Sequence, residues 1–445
     1  MGKQFLEITE KEEVERVIAD LSAKLAKKNV AETEKVIIGE ALGRIASTDI
    51  FSPLNIPPFD RSTMDGYAVV ASDTFYSAED NPSSLIIKGY IQAGEFPSPS
   101  HYVEKGYCAG ISTGAPIPKG ANAVVKVENA FEYVDVAMAV EGGEKGEKIK
   151  KVKIYKPVAP AENIMLLGSD IKRGEKIVRN GTTLTPRETG VLAACGIKEV
   201  FVRKKPSVAI ISTGNEIVAP GAHLVPGKIY DVNAQTLRDS VRENGCVPLF
   251  LGIAKDSLEE ISAKMKESLA KGVDVIIVSG GTSAGVGDLL PTAIEELGEI
   301  IVHGVDIKPG KPFILGMIQG KPVFGLPGNP TSALITFNLF VAPLLRTMLR
   351  IPPRNYEEGE RRKTKRIKVK AALRIFSEPG RNEYVLVNLV KMKPPEEENF
   401  FAYPILSGSG AITTLSKADG YIFVEKGREI IEEGEEVEVE LFIYS

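Results

Sequence analysis

Val273–Asp288 reads VDVIIVSGGTSAGVGD. Val273–Val278 is pure strand material, and Leu289–Leu297 beyond it carries a helical pattern. Between them, Ser279–Asp288 holds small residues and one carboxylate. A buried strand that ends this way brings backbone N–H groups close to a ligand, because glycine has no Cβ to keep the ligand away. Successive N–H groups in such a turn form a concavity for anions, and the following helix adds its positive end. Ser279, Gly280, Gly281, Ser283 and Gly285 are the candidate backbone cradle. Asp288 is placed to cap the helix or to hold a divalent cation. The loop predicts a phosphate-bearing ligand.

The same alternation extends on both sides. From Pro206 onward, SVAIIST (Ser207–Thr213) and VPLFLGIA (Val247–Ala254) are buried-strand runs. NAQTLRDSVREN, with Asn233 as the expected N-cap, and SLEEISAKMKESLAKG, closed by Gly272, are helices. PFILGMI and PVFGLPG form a strand pair, and a long apolar helix runs to about Leu349. Strands alternating with helices predict a three-layer α/β domain with a mostly parallel sheet. Such sheets bind ligands at the carboxyl ends of their strands. Those ends carry STGNE, SGGTSAGVGD and GLPGNP, which would gather on one rim.

The flanking regions read differently. About Thr9–Lys28 is an amphipathic helix, and Val36–Ile45 a second helical piece. Pro58–Val158 reads as short strands and turns, a β-rich insert whose tip includes the charged EGGEKGEKIKK. Leu166–Val202 returns to the first unit and contains a helix, Pro186–Cys195, ended by Gly196. Ile351–Lys363 is a proline-rich charged linker. The rest alternates apolar and polar residues, as a small β-barrel-like domain would. The expected units are 1–57 with 159–205 (helical and extended, discontinuous), 58–158, 206–350 and 351–445. ISTG occurs twice, at Ile111–Gly114 and Ile211–Gly214, with different flanks.

Composition narrows the function. The 445-residue chain carries a net charge of −4, which argues against a general nucleic-acid binder. No apolar run of roughly 18 residues is evident, so no membrane span is expected. The N-terminus lacks a signal-peptide core, which predicts a cytoplasmic protein. Cys108, Cys195 and Cys246 are unpaired in spacing, and His101, His223 and His303 form no zinc motif. No Ser-His-Asp or Cys-His arrangement suggests covalent catalysis.

Several motifs could be ordinary structure or ligand contacts. KPGKP, Lys308–Pro312, sets two lysines across a tight turn and is either a charged hairpin or a site for a multiply charged anion. In GLPGNPTSA, Asn329 suits an N-cap and Pro330 the first helical turn; Gly328, Asn329 and Ser332 would add oxyanion contacts. Glu216 in STGNE could join Asp288 in holding a magnesium ion, since hard cations take oxygen ligands. Asp65 sits in a turn before a strand, and Thr113 could donate to a phosphate.

PPFDRSTMDGYAV, STGAPIPKGANAVV, STGNE, SGGTSAGVGD, IKPGKP and GLPGNPTSA occur in this order from Pro57 to about Ala333. In that order the chain resembles the molybdopterin molybdenumtransferases of the MoeA type, which include the E domain of gephyrin. The resemblance implies insertion of molybdate or tungstate into adenylylated molybdopterin with release of AMP, assisted by Mg2+. It also implies a homodimer, and a MogA-type adenylyltransferase as candidate partner. Asp65 and Thr113 match family positions that affect activity, Glu216, Asp256 and Asp288 match its acidic positions, and all five are the catalytic candidates, with Asp288 the family's metal position. Lys308, Lys311 and Ser332 match its oxyanion pocket, with Arg381 and Ser409 from the tail. Where many members carry a basic residue before KPGKP, this chain reads His303-Gly304-Val305-Asp306. The alternatives are an adenylyltransferase using the same sheet domain, and a binding scaffold.

Overall fold

The computed structural model describes residues 8–29, 32–136, 148–281, 289–349, 366–391, 400–406, 408 and 410–442. They form two compact units, one from the described residues of 1–34 and 202–445, the other from 35–201.

The larger unit is built on a six-stranded sheet. Its order is Val247–Ala254, Ser207–Thr213, Val275–Ser279, Lys321–Leu326, Ile314–Ile318, Glu299–His303. The first four strands are parallel, Ile314–Ile318 runs against them, and Glu299–His303 pairs antiparallel with Ile314–Ile318. Ser207–Thr213 and Val275–Ser279 are rich in β-branched residues because both of their faces are covered. Ala209, Ile211, Ile276 and Val278 pack against helices Leu258–Ala270 and Leu289–Leu297. The intervening residues Val208, Ile210, Val275 and Ile277 are also fully buried, on the opposite face. The two crossovers from the sheet start in opposite directions, so the right-handed rule for such crossovers puts helix Val232–Glu243 on that face. The expected three-layer domain is therefore present.

Pro330–Thr336, Phe337–Val341 and Ala342–Leu349 form one helical run. This is the expected long apolar helix; at 20 residues and mean hydropathy 1.5 it has the length and apolarity to cross a membrane. It is nevertheless 67% buried inside the protein, as a core helix is. Phe340 stacks on Phe313 at 4.6 Å. The amphipathic N-terminal helix, Lys11–Asn29, lays Val14, Ile18, Leu21 and Leu25 against this run.

The C-terminal region of the same unit is a closed five-stranded barrel. Its strands are Arg366–Ala371, Asn382–Lys391, Phe400–Pro404, Gly420–Val424 and Glu436–Leu441. Closure comes from the long strand Asn382–Lys391, which pairs with Phe400–Pro404 at one end and Gly420–Val424 at the other. Alternate residues, including Val369, Val387, Ile422 and Val439, fill the interior. Ile307–Lys308 joins the barrel as a short parallel strand beside Asn382–Glu383.

The second unit contains a mixed six-stranded sheet in the order Ala123–Lys126, Gly66–Val69, Tyr107–Ile111, Ser83–Ile91, Lys148–Ile154, Ala130–Val136. This is the expected β-rich insert; part of the charged EGGEKGEKIKK stretch lies outside the described residues. The helix at Pro186–Ala194 is capped by Thr185 and ends before Gly196 at φ +69°, as its glycine predicted. Val36–Ile45, in contrast, is not a helix. Thr33–Ile37 is a strand, and only Ile38–Glu40 makes a single 3-10 turn. The N–H groups of Gly43 and Ala46 donate to the carbonyls of Leu184 and Thr182 instead of to their own turn. Long-range pairing overrode an apolar spacing that is locally helix-like.

Candidate active site

The strand order has a switch point between Ser207–Thr213 and Val275–Ser279. The chain leaves the first of these toward Val247–Ala254 and the second toward the opposite edge. Crevices outside the carboxyl ends at such a point bind ligands in open α/β sheets. Here the crevice lies between Ser212–Thr213 and Ser279–Gly281.

Backbone conformation opens it. Gly280 and Gly281 have φ of +97° and +66°. A Cβ on Gly280 would stand 2.3 Å from the Thr213 carbonyl oxygen, so no other residue fits there. Gly280 N–H donates to the Leu326 carbonyl at 3.1 Å, which ties this loop to the end of Lys321–Leu326. A Cβ on Gly328 would lie 3.7 Å from Gly280 Cα, so the SGG and GNP turns lie against each other.

Asn233 is the side chain that organises the rim. It was expected to cap its helix, but Asp231 does so, its Oδ1 accepting from Ala234 N–H at 2.9 Å. Asn233, one turn position inside, is buried instead. Its Nδ2 donates to Ser279 Oγ and to the Gly328 carbonyl, both at 2.8 Å. One amide thus joins the helix after the first strand to two glycine turns 46 and 95 residues away.

Around it lie buried polar atoms that have no hydrogen-bond partner among the described residues: Ser212 Oγ, Thr213 Oγ1, Asp231 Oδ2, Asn233 Oδ1 and Thr331 Oγ1. Each such group costs roughly 1–3 kcal/mol. Native proteins leave very few, so a group of them at the carboxyl end of one sheet marks a surface made for a polar ligand.

The acidic candidates sit at the edge of this rim. The Asp256 carboxylate accepts from Asn215 N–H at 3.1 Å, and Asn215 Oδ1 accepts from Asp256 N–H at 3.3 Å, so Asp256 closes the STGNE turn. Glu216 is exposed, with no ion pair among the described residues. Its carboxylate leans over Gly214, where an added Cβ would meet both oxygens at 2.9 Å. Ser283, Gly285, Asp288 and Ser409 lie outside the described residues.

KPGKP packs on the helix that begins at Pro330: a Cβ on Gly310 would meet Thr336 Cγ2 at 2.6 Å. Ser332 is buried in the first turn of that helix, and Asn329 occupies the N-cap position without capping through its side chain. The two lysines differ. Lys308 Nζ pairs with Glu378 at 2.8 Å and Glu383 at 3.1 Å, both from the barrel. Partial burial pulls its pKa down, but hydrogen bonds to the two carboxylates outweigh that and hold it above the ordinary lysine value. Lys311 has no ion pair among the described residues. Arg381 lies 3.9 Å from Glu378, so one carboxylate connects it with Lys308.

Asp65 and Thr113 belong to the second unit and are brought together there. Asp65 Oδ1 accepts from Thr113 N–H at 2.7 Å. Gly66, which starts the following strand, could carry no Cβ, since one would fall 1.8 Å from the Val125 carbonyl oxygen.

Sequence reasoning missed Asp231, Ser212, Thr213 and Thr331 as site residues and misassigned Asn233. Their signal was position, at strand ends or one turn beyond. Glu378 and Glu383 gave no local signal.

With this geometry in place, comparison with known proteins is informative. Residues 9–196 match the family model "MoeA N-terminal region (domain I and II)", residues 209–347 "Probable molybdopterin binding domain", and residues 368–442 "MoeA C-terminal region (domain IV)". The chain is 33% identical over 414 residues to the molybdopterin molybdenumtransferase of Bacillus subtilis, covering 92% of this chain and 89% of that one. With the molybdopterin molybdenumtransferase of Haemophilus influenzae it shares 35% identity over 314 residues, 71% of this chain and 72% of the relative. Its fold matches the crystal structure of a molybdopterin biosynthesis MoeA protein from Pyrococcus horikoshii with a TM-score of 0.76, at 40% identity and covering 98% and 99% of the two chains.

Proposed function

The chain belongs to the MoeA family of molybdopterin molybdenumtransferases, and we propose that it performs the metal-insertion step of molybdenum cofactor biosynthesis. In this reading it takes adenylylated molybdopterin and molybdate or tungstate, and AMP leaves as the metal enters the dithiolene. The observation that carries the reading is the set of unpartnered buried hydroxyl, amide and carboxylate atoms at the switch point of the central sheet. Hydroxyls and amides of this kind suit the many donors and acceptors of a pterin and a nucleotide.

Each residue then has a role that its chemistry supports. Gly280 and Gly281 let the backbone approach the phosphate side of the substrate, with Ser279, Ser283 and Gly285 completing the loop. Asn233 holds that loop and the Gly328–Asn329 turn at a fixed spacing. Lys308, Lys311, Ser332, Arg381 and Ser409 form the oxyanion pocket. Among the described residues no three Asp, Glu, His or Cys side chains converge on a metal position. Mg2+ usually takes one or two carboxylates together with substrate phosphate oxygens. The exposed Glu216 fits that donor set, with Asp288 as its counterpart and Asp256 fixing the turn between. When bound, the cation would neutralise charge on the phosphate as a Lewis acid. Asp65 and Thr113 act as a positioned pair. A homodimer, a MogA-type partner supplying the adenylylated substrate, a cytoplasmic setting and the fourfold division at 57/58, 158/159, 205/206 and 350/351 belong to the same proposal.

The test is AMP release from purified adenylylated molybdopterin with magnesium, with and without molybdate or tungstate. The reading requires oxyanion-dependent release and a product that activates an apo-molybdoenzyme. Adenylylated product formed from molybdopterin and ATP would move the chain to the adenylyltransferase class. No release under any oxyanion would move it toward a scaffold role.

A further inference from the structure

The junction between KPGKP and the barrel holds more carboxylate than its packing requires. Glu383 is largely buried, its side chain 13% exposed. It pairs with Lys308 both in strand register and through its Oε1, while Oε2 accepts from Ser377 Oγ at 2.9 Å and Glu378 N–H at 3.1 Å. Those contacts suffice to hold the barrel edge on the turn. Glu378 adds nothing comparable to the packing. Its side chain is 57% exposed, and among the described residues its carboxylate contacts only cations: Lys308 through Oε1 at 2.8 Å and Arg381 through Oε2 at 3.9 Å. Each of its oxygens thus faces a cation assigned to the oxyanion pocket, as two oxygens of a bound oxyanion would.

We propose that Glu378 is an internal competitor for the oxyanion pocket, a carboxylate that occupies Lys308 and Arg381 until a dianion displaces it, and so sets oxyanion affinity. This deepens the metal-insertion reading and rests on it. Charge count supports the exchange. Lys308 and Arg381 are balanced by Glu378 and Glu383. With Glu378 swung away, Lys308 and Arg381 are left against Glu383 alone, and the excess positive charge favours a bound oxyanion. An exposed carboxylate on a turn that contains Gly380 at φ +78° can leave without disturbing the barrel core. An anchored one such as Glu383 cannot.

The experiment is tungstate binding by calorimetry to the full-length protein, wild type beside Glu378→Gln and Glu378→Ala, with thermal melting of each as a control. Steady-state rates with tungstate as the varied substrate accompany it. Exposed ion pairs are weak, so the expected change is a roughly two- to fivefold lower Kd in both variants. The KM for oxyanion should fall in step, with kcat and Tm near wild type. Binding that appears only in the variants supports the same conclusion. If wild type binds tungstate and the variants bind equally or more weakly at unchanged Tm, the competitor role is wrong and the metal-insertion reading stands. If neither wild type nor variants bind, the oxyanion pocket itself is misassigned, and the competitor role falls with it.

Discussion

The tetrapeptide ISTG occurs in both units and is handled in opposite ways. At Ile111–Gly114 the Ser112 hydroxyl and the N–H groups of Thr113 and Gly114 are satisfied within their own unit. Ser112 Oγ donates to Gln92 at 2.9 Å, Thr113 N–H to Asp65, and Gly114 N–H to the Ser62 carbonyl at 2.8 Å. At Ile211–Gly214 the Ser212 and Thr213 hydroxyls are buried and have no partner among the described residues. The second copy sits at the switch point of a parallel sheet, and the first at the end of a strand in a mixed sheet. Identical local sequence therefore produced one self-sufficient turn and one that needs something from outside. Hydrogen-bond satisfaction separates structure from site here, and the motif does not.

Glycine substitutions should break the comparison most sharply. Gly280→Ala drives a Cβ to 2.3 Å from the Thr213 carbonyl oxygen at φ +97°. Neither backbone can yield cheaply, and we expect a loss of roughly 3 kcal/mol or more in denaturant unfolding. Gly114→Ala, in the satisfied copy of ISTG, is the control. There φ is +84°, but the nearest atom to a new Cβ is Ala93 Cβ at 4.0 Å, so only the backbone preference is lost. That costs about 1 kcal/mol. Equal destabilisation by the two would mean that the rim has no tighter backbone than an ordinary turn.

Asn233→Ala comes next. It strips the donor from Ser279 Oγ and the Gly328 carbonyl in a buried position. A stability loss of roughly 2 kcal/mol is expected. Because the spacing of two glycine turns goes with it, AMP release should fall roughly hundredfold. Wild-type turnover in this variant would exclude the switch point as the reaction site. Asp65→Ala removes the acceptor for Thr113 N–H in the other unit. This exposed contact should cost up to about 1 kcal/mol. Any rate loss beyond that of a destabilised turn would count toward a direct role for the Asp65–Thr113 pair.

Much of this was legible in the sequence. Runs such as VDVIIVS and SVAIIST stated a parallel sheet because both faces are buried, and the glycines after them stated where the ligand rim lies. The barrel followed from strict alternation in IKVKA and EVEVEL. What failed did so for physical reasons. Val36–Ile45 has a helical spacing, but the Gly43 N–H finds the Leu184 carbonyl, 141 residues away in the chain. In Tyr230–Asn233, either Asp231 or Asn233 can cap a helix, and only the tertiary fold decides which is turned inward. The unequal roles of Lys308 and Lys311 depend on Glu378 and Glu383, which lie on another folded region and carry no mark of the pairing.

The smallest effects test the comparison most directly, through their sign. Ser112→Ala deletes an exposed hydrogen bond to Gln92 and should cost no more than about 0.5 kcal/mol, with or without ligand. Thr213→Val keeps the shape and removes a buried hydroxyl that has no partner. In the ligand-free protein the substitution should be neutral or stabilising by up to about 1 kcal/mol, because an unsatisfied group is lost. If the hydroxyl exists to meet a ligand, the sign must reverse when molybdopterin substrate is added: the wild type should gain more in Tm than the variant does. Paired melting curves with and without substrate measure that reversal. A variant that is more stable under both conditions would show that Thr213 is merely a tolerated polar residue. The reversal, present at Thr213 and missing at Ser112, would place a ligand contact at the Thr213 hydroxyl and none at that of Ser112.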